Sequence, residues 1–103
     1  MYVTLLTNSL DEWAPTSDRH EIVAHAVACR REMLLASPRR GDPTYRALAA
    51  QISYDRALIK LCEIFAIATS ASSFSDPTAE RRRLERELAR QGLDLAEQSR
   101  VGL

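Results

Sequence analysis

The residues best suited to chemistry lie close together in RHEIVAHAVAC, Arg19 to Cys29. HEIVAH is a near match to HExxH, where two histidines one helical turn apart hold zinc and the glutamate acts as base. His20 and His25 are five positions apart instead, which turns them about 140° from each other on a helix, so they do not share a metal ion. His25 and Cys29 are four apart and do share a face. An imidazole and a thiol at that spacing are half of a zinc site that still needs two ligands. The plainer reading is a buried cysteine beside a boundary histidine. The run SASSFS, residues 70–75, has no adjacent histidine to activate a serine. Gly41, Gly92 and Gly102 are scattered, so no phosphate-cradling loop exists. No catalytic residue, cofactor or metal is expected.

Three short patterns resemble known families. His25-x-x-x-Cys29 resembles the first half of the HxxxCxxC zinc motif of anti-sigma factors, with Glu32 where the second cysteine would stand. Arg19-His20 with His25 resembles the Arg-polar-x4-His motif of the HEPN ribonucleases, which are small all-helical dimers. That resemblance implies Arg19 as phosphate binder and His25 as acid/base on an RNA phosphodiester, although here the motif lies on an early helix and in the family on a late one. LAAQISYDRALIKL, Leu48 to Leu61, resembles the helix-turn-helix of DNA-binding regulators. Ala49 fits the small residue of the first helix, Ser53 stands where a turn glycine is usual, and Ile59 fits the apolar position of the recognition helix. This implies a helix break near Ser53. The competing reading is one unbroken helix, because the apolar stripe passes Ser53 without losing phase.

Helices must position these side chains. Pro15, Pro38, Gly41, Pro43 and Pro77 punctuate the chain into four segments. Residues 1–14 place Val3, Leu6, Leu10 and Trp13 at helical spacing and form a helix or an arm. Residues 17–36 open with Asp18 and Glu21 at capping-box spacing, then run Ile22, Ala26, Cys29, Met33 and Ala36 along one stripe. Residues 43–69 follow an Asp42-Pro43 start and align Ala47, Ala50, Tyr54, Leu58, Leu61, Phe65 and Ala68, a helix ~40 Å long if unbroken. Residues 77–98 start at Asp76-Pro77 and carry a narrow seam of Leu84, Leu88 and Leu95, with i,i+4 pairs Arg81–Glu85 and Arg83–Glu87. Gly92 interrupts or ends this helix, and 99–103 is a frayed tail. The fold expected of this single domain, 1–103, is all-α: a small bundle of three to four helices around a long central helix, with the 17–36 and 43–69 hairpin as its core.

In such a hairpin, facing residues have numbers summing to about 80. Cys29 then lies ~16 Å along the axis from Cys62, too far for a disulfide. Asp55, between Ile52 and Ile59, lies level with His25 and a turn from Arg30. A buried lone carboxylate is costly, so these three are expected to form a buried polar cluster in which Asp55 pairs with one of the others. The far half of the long helix extends beyond the shorter one. Ile64, Phe65 and Ile67, with Trp13 nearby, are therefore expected to form a homodimer interface.

Fourteen basic and fourteen acidic residues cancel, which argues against a chain built to coat nucleic acid or an anionic membrane. Two cysteines do not make a disulfide scaffold, MYVTLLTNSLDEW lacks the features of a signal peptide, and no stretch is apolar enough to span a bilayer. The expected setting is the reducing cytoplasm. The expected function is a non-enzymatic protein–protein interaction or regulatory module, homodimeric. The alternatives are a helix-turn-helix DNA-binding regulator and a HEPN-like small ribonuclease.

Overall fold

Capping chemistry sets the helix boundaries of the computed structural model, which describes residues 1–13, 18–36 and 44–99. The N-terminal segment is a helix, α1 (Tyr2–Glu12), burying Leu6. In α2 (Arg19–Leu35), Asp18 is the N-cap and its carboxylate accepts from the His20 and Glu21 amides at 2.8 and 3.3 Å. The longest helix is α3 (Thr44–Ile64). The Asp42-Pro43 start and the SPRRGDP turn with Arg39 and Arg40 lie outside the described residues. A 3-10 segment, Ala71–Ser75, leads into α4 (Pro77–Arg90), whose N-cap Asp76 accepts from the Ala79 amide at 3.3 Å. A last short helix, α5 (Leu95–Gln98), is capped by Asp94. The described residues contain helices and no strand.

Three expected boundaries are corrected. First, α3 stops at Ile64 and does not continue to residue 69. Its carbonyls are closed off by the Ala66 amide on Glu63 O at 3.3 Å and the Ile67 amide on Cys62 O at 2.8 Å. This is a Schellman motif, which needs a left-handed residue between the last helical turn and the exit. Ala66 takes that role at φ 59°. Second, the 77–98 helix is two helices. Gly92 at φ 98° closes α4 in the same way, with its own amide on Ala89 O and the Leu93 amide on Leu88 O, both at 3.0 Å. Third, Ser99 is fully buried and not frayed, while residues 100–103 lie outside the described residues.

The core follows from the apolar stripes. α2 packs along α3, α1 packs on α3 and on the 3-10 segment, α4 crosses α3, and α5 bridges α4 and α2. From α3, Tyr54, Ala57, Leu58, Leu61 and Cys62 are fully buried, and they meet Leu6, Ile22, Ala26, Phe74, Leu84, Leu88 and Leu95 from the other elements. α3 is thus the central helix of an all-α bundle. Among the described residues, no helix is long and apolar enough to cross a membrane.

Candidate functional site

Two largely buried triads of tyrosine, carboxylate and arginine tie the bundle together. In the first, Asp55 of α3 receives a bidentate pair from Arg81 of α4 at 2.8 and 2.7 Å and the hydroxyl of Tyr2 from α1. In the second, Glu85 of α4 receives the hydroxyl of Tyr54 from α3 and the guanidinium of Arg30 from α2 at 2.9 and 3.4 Å. Arg30 also donates to Ser99 Oγ at 2.9 Å, and that hydroxyl donates to Leu95 O at 2.6 Å. Tyr54 and Asp55 are neighbours on α3, and Arg81 and Glu85 are one turn apart on α4. One crossing therefore builds both triads. Burial pushes the phenols of Tyr2 and Tyr54 up, helped by the adjacent carboxylates. Burial also raises the Asp55 carboxyl, against the pull of Arg81 and Tyr2.

This geometry corrects the expected cluster of Asp55, His25 and Arg30. Asp55 is buried as expected, but its partners are Arg81 and Tyr2, and Arg30 is occupied by Glu85. The reason is that the Asp55 side chain leaves α3 about 100° from Tyr54, towards α4 and α1. The helical i,i+4 pairs of α4 are also absent. Arg81 and Glu85 point inward to other helices, while Arg83 binds Glu80 at 2.6 Å and the Ala68 carbonyl at 3.0 Å. Glu80 additionally accepts from Thr69 at 2.7 Å, and together the Arg83 and Thr69 hydrogen bonds hold its carboxyl below the ordinary glutamate range.

The histidine and cysteine positions form a second group, at the junction of α1, α2 and α3. His25 Nε2 lies 3.5 Å from Cys29 Sγ, and its ring leans on Trp13 with centroids 5.4 Å apart. Arg56 lies 4.7 Å over the Trp13 ring and donates to Ser9 Oγ at 2.9 Å. Cys29 is buried, and that burial raises its thiol pKa, with Glu32 adding and Arg56 opposing. A raised, buried thiol is a poor nucleophile. Cys62 is pushed by burial up to about 12. The two thiols are free. Among the described residues no group of three or more His, Cys, Asp or Glu could hold a metal ion. Arg19 goes elsewhere, lying 4.5 Å over the Phe65 ring. The structure therefore gives the two residues of the ribonuclease-like pattern different neighbours. Leu48 to Leu61 lies wholly within α3, which runs through Ser53 unbroken, so that segment builds no helix-turn-helix.

Of the expected interface, Trp13, Ile64, Phe65 and Ile67 are all half-buried against the core. α3 ends early, at Ile64, and these side chains pack against the core cluster to which Leu6 and Phe74 belong. Among the described residues, the exposed large apolar side chains are Met1, Leu5, Leu34 and Leu35 instead. Leu34 and Leu35 are 46% and 65% exposed at the end of α2, and Leu35 lines an open cleft of about 420 Å³ between α2 and α3. Glu32, Leu35 and Ala36 form one wall, and Arg46, Ala49, Ala50 and Ser53 the other. The cleft exists because the facing residues are small: alanine and serine cannot fill the space between two helices. The sequence signal for it was the small residues Ala36, Ala49, Ala50 and Ser53 near a leucine, Leu35, that lies off the apolar stripe of α2. Comparison of the chain with family models, curated proteins and solved structures finds no match.

Proposed function

We propose that this chain is a non-enzymatic protein–protein interaction module that receives its partner at the α2–α3 cleft. The observation that carries this reading is a small-residue cleft with the exposed Leu35 in its wall, next in the chain to a second exposed leucine, Leu34. Consecutive exposed leucines at a helix end are costly to leave in water, and a concave apolar floor next to them offers a place for a partner's side chain. The internal chemistry is consistent with it. The buried carboxylates and most of the buried arginine groups are satisfied by one another, and the buried thiols are held neutral, so these groups serve the scaffold. The simplest partner for such a surface is a second copy of the chain.

The test is affinity capture from a cell extract with the wild-type chain and with Leu34→Glu/Leu35→Glu, followed by quantitative comparison. Proteins held by the wild type, its own chain included, are expected to be lost from the variant while its circular dichroism is unchanged. Equal retention by both would overturn the reading.

A further inference from the structure

We propose that the occupant of the cleft is the same cleft of a second copy, docked about a two-fold axis with Glu32 of each chain paired to Arg46 of the other. This rests on the interaction reading above and names its partner. The argument is self-complementarity. A two-fold interface places one patch against itself, so the patch must contain both halves of every contact it makes. The α2–α3 end meets that condition twice. It carries an apolar projection, Leu35, exposed at 65%, and beside it a concave floor of Ala36, Ala49 and Ala50 of the right character to receive one. It also carries an acidic wall, Glu32 on α2, and a basic wall, Arg46 on α3.

The charges are available. Glu32 and Arg46 flank one cleft, yet they form no ion pair with each other or with any other described residue. By contrast, Asp55, Glu80, Glu85 and Glu87 are each paired with an arginine. Rotation by 180° about an axis that runs along the cleft, parallel to its walls, exchanges the two walls. The acidic wall of one copy then faces the basic wall of the other, on both sides of the axis. Charges at the rim of an apolar contact set orientation and partner choice more than raw affinity, and here they would fix the copies in one register.

The experiment is charge exchange read by sedimentation equilibrium and light scattering. Glu32→Arg gives a chain with two basic walls, and Arg46→Glu gives a chain with two acidic walls. Both residues are exposed, so circular dichroism of each variant should match the wild type. The wild type is expected to dimerise at micromolar to high micromolar concentration. Each variant alone should be weakened at least ~tenfold, because like charges then meet twice. An equimolar mixture should recover wild-type dimerisation as a heterodimer, since both crossed pairs are restored. A wild type that stays monomeric overturns the second copy as occupant. If its extract capture still depends on Leu34 and Leu35, the interaction reading stands and this inference alone fails. Dimeric single variants, or a mixture that does not recover, overturn the Glu32–Arg46 pairing.

Discussion

At the scale of single residues, the most consequential side chain is Asp55. It is fully buried, its charge is paired with Arg81, and the Tyr2 phenol donates a further hydrogen bond. Removing one partner of a buried pair leaves the other unpaired, which costs about 3–5 kcal/mol. Asp55→Ala is therefore expected to lower unfolding free energy in urea by that amount, and Asp55→Ala with Arg81→Ala by less than the sum of the two single changes. An unchanged stability in Asp55→Ala would mean that the carboxylate is solvated. Glu80 gives the pH counterpart. Its folded pKa lies below the ordinary value because of Arg83 and Thr69. The stability it contributes is thus present above the ordinary glutamate pKa and is lost as pH falls through the folded value. Arg83 is partly exposed, so the effect is at most about 1 kcal/mol. Glu80→Gln should be less stable than the wild type at pH 7, and the gap should close on acidification towards pH 3. A gap that stays constant with pH would remove Glu80 as its source. The burial of Asp55 was legible from its apolar neighbours Ile52 and Ile59. Its partner was not, because Arg81 lies on a helix whose crossing with α3 is set by long-range packing and by no local pattern.

At the scale of elements, the starts of helices were more legible than their ends. Asp18 and Asp76 cap α2 and α4 as their positions imply, since a side-chain oxygen in front of an apolar period has one good use. Gly92 announced the end of α4 by residue type. The end of α3 carried no such mark, because Ala66 fills a left-handed position that glycine usually takes. That position costs an L-residue about 1–2 kcal/mol, part of which glycine returns through its freer unfolded chain. Ala66→Gly is therefore expected to raise stability by about 0.5–1 kcal/mol, read as a higher urea midpoint at unchanged slope. Gly92→Ala should do the reverse. A methyl group there meets no atom within 4 Å, so its cost is conformational only, of order 1 kcal/mol. If the two substitutions shift stability in the same direction, the left-handed C-caps do not govern these helix ends.

At the scale of the whole molecule, the sequence located the apolar surplus of α3 but not what covers it. A helix running to residue 69 would leave Ile64 and Ile67 bare. The chain instead turns at Ala66, and the serine-rich stretch 70–75 returns Phe74 to the core at 0% exposure. That single aromatic among serines was the available signal. The consequence is a reversal of which surface tolerates charge. Ile67 is half-buried and packs on the core, so Ile67→Glu puts a carboxylate among apolar neighbours and should cost about 2 kcal/mol or more. Leu35 is mostly in water, so Leu35→Glu should change the stability of the isolated chain by no more than about 0.5 kcal/mol. Chemical denaturation at protein concentrations low enough to keep the chain monomeric separates the two. Association must be excluded from this measurement, because a partner that binds only the folded chain adds to its apparent stability. If Ile67→Glu proves neutral and Leu35→Glu destabilising under those conditions, the far end of α3 is the free face and the α2–α3 end belongs to the core.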